Sequence, residues 1–220
     1  MFCISNLTPT SYTFPLLLCA NIFPTHMHTW LVSNSLHNLR RNVSHQPRFS
    51  GTLHFRWHPS SKWVYMVSED SNNALIWFTR AKVGGKYELT FGGSKKEGVD
   101  PRTVVLSPDG LFLYVTTGGS SSTVQWWSVN QATGEPTYVN KVADSSSAQS
   151  GGKIRDPNGI VISHDGKNVY VSSYSDKYMT SFARDSGTGA LTYLGKVFGS
   201  ESQTYFYQPL GIAISPDDKQ

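Results

Sequence analysis

The chain has 220 residues, enough to bury one sizeable core, yet only 15% are charged while 13% are aromatic and 19 are glycine. Of the net charge of +4, three charges fall in residues 1–50, which hold Arg40, Arg41 and Arg48 and no acid, so the remainder is close to neutral. That balance excludes a basic nucleic-acid surface, and two cysteines, Cys3 and Cys19, support neither a disulfide framework nor a cysteine metal centre.

Residues 1–48 match nothing later in the chain and read as a disordered or misannotated leader. Its apolar run FPLLLCA is far short of the ~20 residues a membrane helix needs. No basic residue precedes that run, so no signal peptide is predicted, the expectation leans to the cytoplasm, and no membrane partner is expected. His26, His28, His37, His45, His54 and His58 crowd this end without a third ligand at a metal-site spacing. No metal and no other cofactor is expected.

From residue 49 onward the chain reads as short strands separated by turns. A first unit, 49–98, opens on LHFRWH, whose His54 and Arg56 make it more polar than its counterparts and suit an end unit with one exposed face. Its later strands are predicted at 63–67 and 74–79. A second unit, 100–155, has an apolar first strand at 104–106, then strands at 113–117 and 124–129, and the low-complexity loop DSSSAQSGG. The third unit, 156–208, is the clearest. GIVI lacks alternation and should be buried on both faces. His164-Asp165-Gly166 is a tight turn, and NVYVSS, YMTSFA and LTYLGKV complete an antiparallel meander. Residues 209–220 start a fourth unit.

The units repeat. SPDG at residues 107–110 matches SHDG at 163–166, SPDD at 215–218 and, more weakly, HPSS at 58–61, at intervals of 49, 56 and 52 residues. Tyr65, Tyr114 and Tyr170 each follow the second turn residue by 6, and Trp77, Trp126 and Phe182 each follow it by 18. TGEPTY at 133–138 matches TGALTY at 188–193. Four strands in a period of ~40–50 residues are the signature of a propeller blade, whose sheet covers its faces only by stacking on neighbours. The predicted fold class is therefore all-β: a partial β-propeller of about three blades plus one strand. Three blades and a strand cannot close a ring, so the expectation is a piece of a longer propeller, or self-association through open blade edges.

The stretch PNGIVISHDGKNVYVSSYSDKYMTSFARDSGTGALTYLG, with DPRTVVLSPDGLFLYVTTGG and QPLGIAISPDD, resembles blades of the lactonase-type seven-bladed propellers. Relatives of that group include 6-phosphogluconolactonase, the muconate-cycloisomerase propellers and the YVTN-type surface repeats. The resemblance covers about 49–220. It implies the fold and leaves the activity open, because catalytic and purely binding members share these strands and turns.

Propeller sites gather at the channel mouth, on loops leading into first strands and loops between second and third strands. The first set is Arg102, Arg155, Asn158 and Gln208; the second is Glu69, Asp70, Asn73, Asp176 and Lys177. Arg102, Arg155, Asn158, Glu69 and Asp176 form the predicted substrate-binding set. Arg102 with Arg155 suits a carboxylate or phosphate, and Glu69 or Asp176 suits a base. Ordinary solvated loop residues are the competing reading of all of them, and no catalytic residue is assigned. His164 replaces the turn proline at the opposite strand end and is a poor base. Asp109, Asp165 and Asp217 recur in the turns and read as structural. The chain has no GxSxG, HExxH, P-loop or GxGxxG motif. The expected function is a binding or scaffold module that takes a small-molecule or protein ligand at the channel mouth. The alternative is a lactone hydrolase or isomerase.

Overall fold

The structure, a computed structural model, describes residues 53–68, 73–96, 100–119, 122–143, 154–198 and 208–218. The expected leader at 1–48 and the low-complexity loop at 144–152 lie outside them. Twelve strands form three four-stranded antiparallel meanders. The first comprises β1 (Leu53–Trp57), β2 (Trp63–Ser68), β3 (Ala74–Val83) and β4 (Lys86–Lys95). The second comprises β5 (Pro101–Leu106), β6 (Phe112–Thr117), β7 (Thr123–Val129) and β8 (Pro136–Ala143). The third comprises β9 (Pro157–Ile162), β10 (Asn168–Ser173), β11 (Tyr178–Arg184) and β12 (Leu191–Phe198). The described residues contain no α-helix.

The sheets stand side by side as blades, with β1 beside β5 and β5 beside β9. Because the first strand is sandwiched, it carries apolar residues on both faces. Val104 packs back with Trp63, Tyr65, Trp77 and Trp127 in one core, and Val105 packs forward with Tyr114, Trp126, Val171 and Phe182 in another. His54 departs from the expectation of an exposed polar face. It is half-buried, and its Nδ1 accepts the Val104 N–H at 3.3 Å, so this polarity ties β1 to β5.

Side-chain alternation on the second strand points its tyrosine at the next blade. The Tyr65 hydroxyl donates to the Gly134 carbonyl at 2.9 Å, and the Tyr114 hydroxyl donates to Gly189 at 2.7 Å. Both glycines sit at positive φ, +75° and +74°. A Cβ on Gly134 would lie 2.4 Å from the Trp63 ring, and one on Gly189 2.5 Å from Phe112. The Thr-Gly loop of each following blade thus hooks over the previous blade, and only glycine fits the hook.

A fourth-strand bulge recurs, with Gly92, Val139 and Leu194 as the extra residues opposite the steps Trp77–Phe78, Trp126–Trp127 and Ser181–Phe182. Just beyond it, Phe78 meets Phe91, Trp127 meets Tyr138 and Phe182 meets Tyr193, each edge to face. Phe182 is therefore the counterpart of Phe78 and Trp127. The constant 18-residue spacing pairs it with Trp77 and Trp126 only because the β10–β11 connection is one residue shorter than the other two. Tyr170 accordingly faces Ser181 where Tyr65 faces Trp77 and Tyr114 faces Trp126.

The tight turns superimpose in their backbone chemistry. Ser61, Gly110, Gly166 and Asp218 hold the same turn position, all at positive φ. The last of these turns belongs to residues 208–218, where the chain lies against blade three: a Cβ on Gly159 would come within 3.0 Å of Ile212. No strand is assigned there.

Candidate functional site

The loops at the heads of the first strands share an unusual backbone. Asp100, Asp156 and Gln208 all lie at positive φ, +64°, +51° and +51°, and each precedes a proline. A residue before proline is ordinarily held extended, so the conformation is strained and must be held by its surroundings. Hydrogen bonds supply the hold. The Asp100 carbonyl accepts the Gly118 N–H at 2.9 Å, and the Asp156 carbonyl accepts Tyr174 N–H at 2.9 Å.

Asp156 is the hub of this end. One carboxylate oxygen accepts the Gly119 N–H at 2.9 Å and the other accepts the Ser175 hydroxyl at 2.7 Å. Its own N–H donates to the Ser122 hydroxyl oxygen at 2.9 Å. The loops after β6 and β10 are thereby stitched together across the blade boundary. The Ser175 hydrogen bond is the main force holding the Asp156 carboxyl below its usual range. Partial burial opposes it, while the Gly119 N–H and the charges of Arg102 and Arg155 reinforce it.

Arg102 is half-buried and donates to Asp100 Oδ2 at 2.8 Å. Arg155 is exposed; its backbone N–H donates to Asp176 Oδ2 at 3.0 Å. Asn158 is half-buried, and its carbonyl accepts the Thr116 hydroxyl at 3.2 Å. Arg102, Arg155 and Asp176 are therefore gathered around Asp156, with Asn158 on the same strand head. Glu69 lies outside the described residues, as does Asp70. Asp100 and Asp156 were not among the residues singled out from sequence. Their signal was the acid-proline pair at the head of two units, DPRT and DPNG.

At the opposite end the turn aspartates do structural work. Ser107 donates to Asp109 at 2.5 Å, Ser163 to Asp165 at 2.7 Å and Ser215 to Asp217 at 2.9 Å. Arg184, buried, joins blades two and three there. It donates to Asp109 Oδ2 at 2.7 Å, the Tyr114 hydroxyl at 2.9 Å and the Gly166 carbonyl at 3.0 Å. Blades one and two use a neutral counterpart, in which His58 Nε2 meets the Gly110 carbonyl at 3.1 Å. Among the described residues no group of three or more His, Cys, Asp or Glu side chains is placed to hold a metal, and no helix is long and apolar enough to cross a membrane.

The blades, their hooks and the strained strand heads define a β-propeller. The chain belongs to the lactonase seven-bladed β-propeller family, whose profile, described as "Lactonase, 7-bladed beta-propeller", matches residues 26–207. Among solved structures, it is similar to a Bacteroides fragilis protein provisionally assigned as a 6-phosphogluconolactonase, at 21% identity and a TM-score of 0.57, covering 72% of this chain and 40% of that one. The periplasmic gluconolactonase of Pseudomonas aeruginosa matches at 22% identity and a TM-score of 0.53, over 67% of this chain and 40% of its own. The hydrazine synthase of Kuenenia stuttgartiensis matches at 22% and 0.56, over 81% and 43%. At these identities the likeness is one of fold, and this chain spans less than half the length of each. No curated protein matches the sequence.

Proposed function

We propose that the protein is a ligand-binding propeller module whose mouth, around Asp156, takes a small carboxylate or phosphate. The observation that carries this reading is the commitment of both Asp156 carboxylate oxygens to hydrogen bonds, with the carboxyl held low, which suits a fixed anchor and not a proton acceptor. Arg102 is likewise engaged by Asp100. The Arg155 guanidinium, exposed at the same mouth, forms no ion pair with a described carboxylate and is the group a ligand would meet. Titration with gluconate or inorganic phosphate tests the reading. Arg155→Ala should weaken binding about tenfold, the loss of one charge-assisted contact. Binding unchanged in that variant would remove the assignment.

The second reading, a lactone hydrolase, is favoured by family membership. It is tested by following δ-gluconolactone opening with Arg102→Ala as control. No turnover above the uncatalysed rate would remove it.

A further inference from the structure

The turn end of the first strands, opposite the Asp156 mouth, carries a cleft of about 310 Å³. Its floor and walls are apolar: Trp57 from β1, Val105 from β5, Val161 and Ile162 from β9, and Ile214 from the last described segment. Arg56 lines it as well. The volume is at the small end of the range for ligand sites, about that of a bicyclic aromatic with room for its head group.

Two cations beside this cleft, Arg56 and Arg80, have no carboxylate partner among the described residues. Arg56 donates to the adjacent Phe55 carbonyl at 3.0 Å and forms no ion pair with a described carboxylate. Arg80 lies over the Trp57 ring, 5.4 Å from its centroid, and over Tyr87 at 3.6 Å; its hydrogen bond goes to the Ser61 carbonyl at 3.5 Å, not to an acid. The nearby acids each have a partner of their own. Asp109 is held by Arg184, Asp165 pairs with Lys167, Asp217 accepts Ser215, and Asp218 holds both His164 Nδ1 and the His164 N–H. His164 also lines the cleft. Arg56 is open to water yet crowded by protein, and that crowding pushes its guanidinium below its ordinary value. A cation in a concavity without a counter-charge is stabilised by an incoming anion.

We propose that the turn-end cleft binds a small amphipathic carboxylate, its apolar body against Trp57, Val105, Val161, Ile162 and Ile214 and its carboxylate on Arg56. The apolar walls supply the contact area, and Arg56, with the field of Arg80 behind it, selects the anion. The site is separate from the Asp156 mouth and does not depend on what that mouth binds.

Calorimetric titration with 2-naphthoate tests the proposal. Saturable binding at an Arg56-dependent site is expected, about tenfold weaker in Arg56→Gln and largely restored in Arg56→Lys. The neutral 2-naphthamide should bind more weakly than the acid and equally to wild type and Arg56→Gln. Lys141→Ala, which removes an exposed cation on β8, should leave naphthoate binding unchanged. No binding of naphthoate, equal affinity in wild type and Arg56→Gln, or loss of binding in Lys141→Ala would overturn the assignment. Circular dichroism on each variant establishes that the fold is intact, as expected for an exposed side chain.

Discussion

Gly189 makes the strongest single-residue case. It combines positive φ, a ring within reach of any added Cβ and a carbonyl that accepts the Tyr114 hydroxyl. Gly189→Ala should lower the unfolding free energy by about 2 kcal/mol or more, measured by urea denaturation, because strain and overlap act together. A Cβ added at Gly187, two residues earlier in the same loop, would meet nothing closer than 3.5 Å, and Gly187→Ala should cost far less. Tyr114→Phe should cost about 1–2 kcal/mol, since it leaves the Gly189 carbonyl and the Arg184 Nε without their partner in a buried place. The two mouth arginines separate by role. Arg102→Ala frees Asp100 beside a strained backbone and should lower stability by about 1 kcal/mol. Arg155→Ala should leave the melting temperature unchanged. From sequence these two residues look alike, each in a first-strand approach, because the pairing of Arg102 depends on where the Asp100 backbone turns.

Interfaces between elements respond to pH through buried histidines. Burial, helped by the Arg56 charge, pushes His54 down to about 4, and protonation at Nδ1 would also break the hydrogen bond it accepts from Val104 N–H. Burial likewise lowers His58, although its contact with the Gly110 carbonyl pulls the other way. His58 Nδ1 accepts the Ser60 N–H at 3.1 Å, so its neutral form carries the proton on Nε2 and donates it to Gly110. Both groups bind protons more weakly folded than unfolded. Their stability contribution is therefore complete above about pH 6.5, the unfolded value, and falls with pH below it, that of His54 being lost as pH approaches 4. Denaturation midpoints should fall between pH 6.5 and 4, and His54→Gln should flatten that decline. A decline that keeps its slope in His54→Gln would remove His54 from the account. The elements themselves were legible from sequence: the apolar run GIVI, the alternating NVYVSS and the Asp-Gly turns each carry a local signal that the sheet obeys. Two features were not. The equal spacing of Trp77, Trp126 and Phe182 hides a one-residue difference in loop length that only strand register exposes. The role of His54 lies in a hydrogen bond to a residue 50 positions away, which no local pattern encodes.

At the scale of the molecule, what repeats is an interface more than a sheet. Each blade boundary has an apolar core, a tyrosine-to-glycine hook and a fastener at the turn end. The fastener is neutral between blades one and two and ionic between blades two and three, where Arg184 is buried and Asp109 partly exposed. Breaking the ionic one by Arg184→Met should cost about 2 kcal/mol, below the usual range for a fully buried pair because water reaches Asp109. The apolar core alone would let neighbouring sheets slide; the hook fixes their offset. The most direct test is a nuclear Overhauser spectrum of the isotope-labelled chain. Cross-peaks are expected from the Tyr65 ring to Gly134 Hα and from the Tyr114 ring to Gly189 Hα. Their absence, with Tyr114 still showing its contacts to Trp126 within the sheet, would mean that the blades form but do not stack as described.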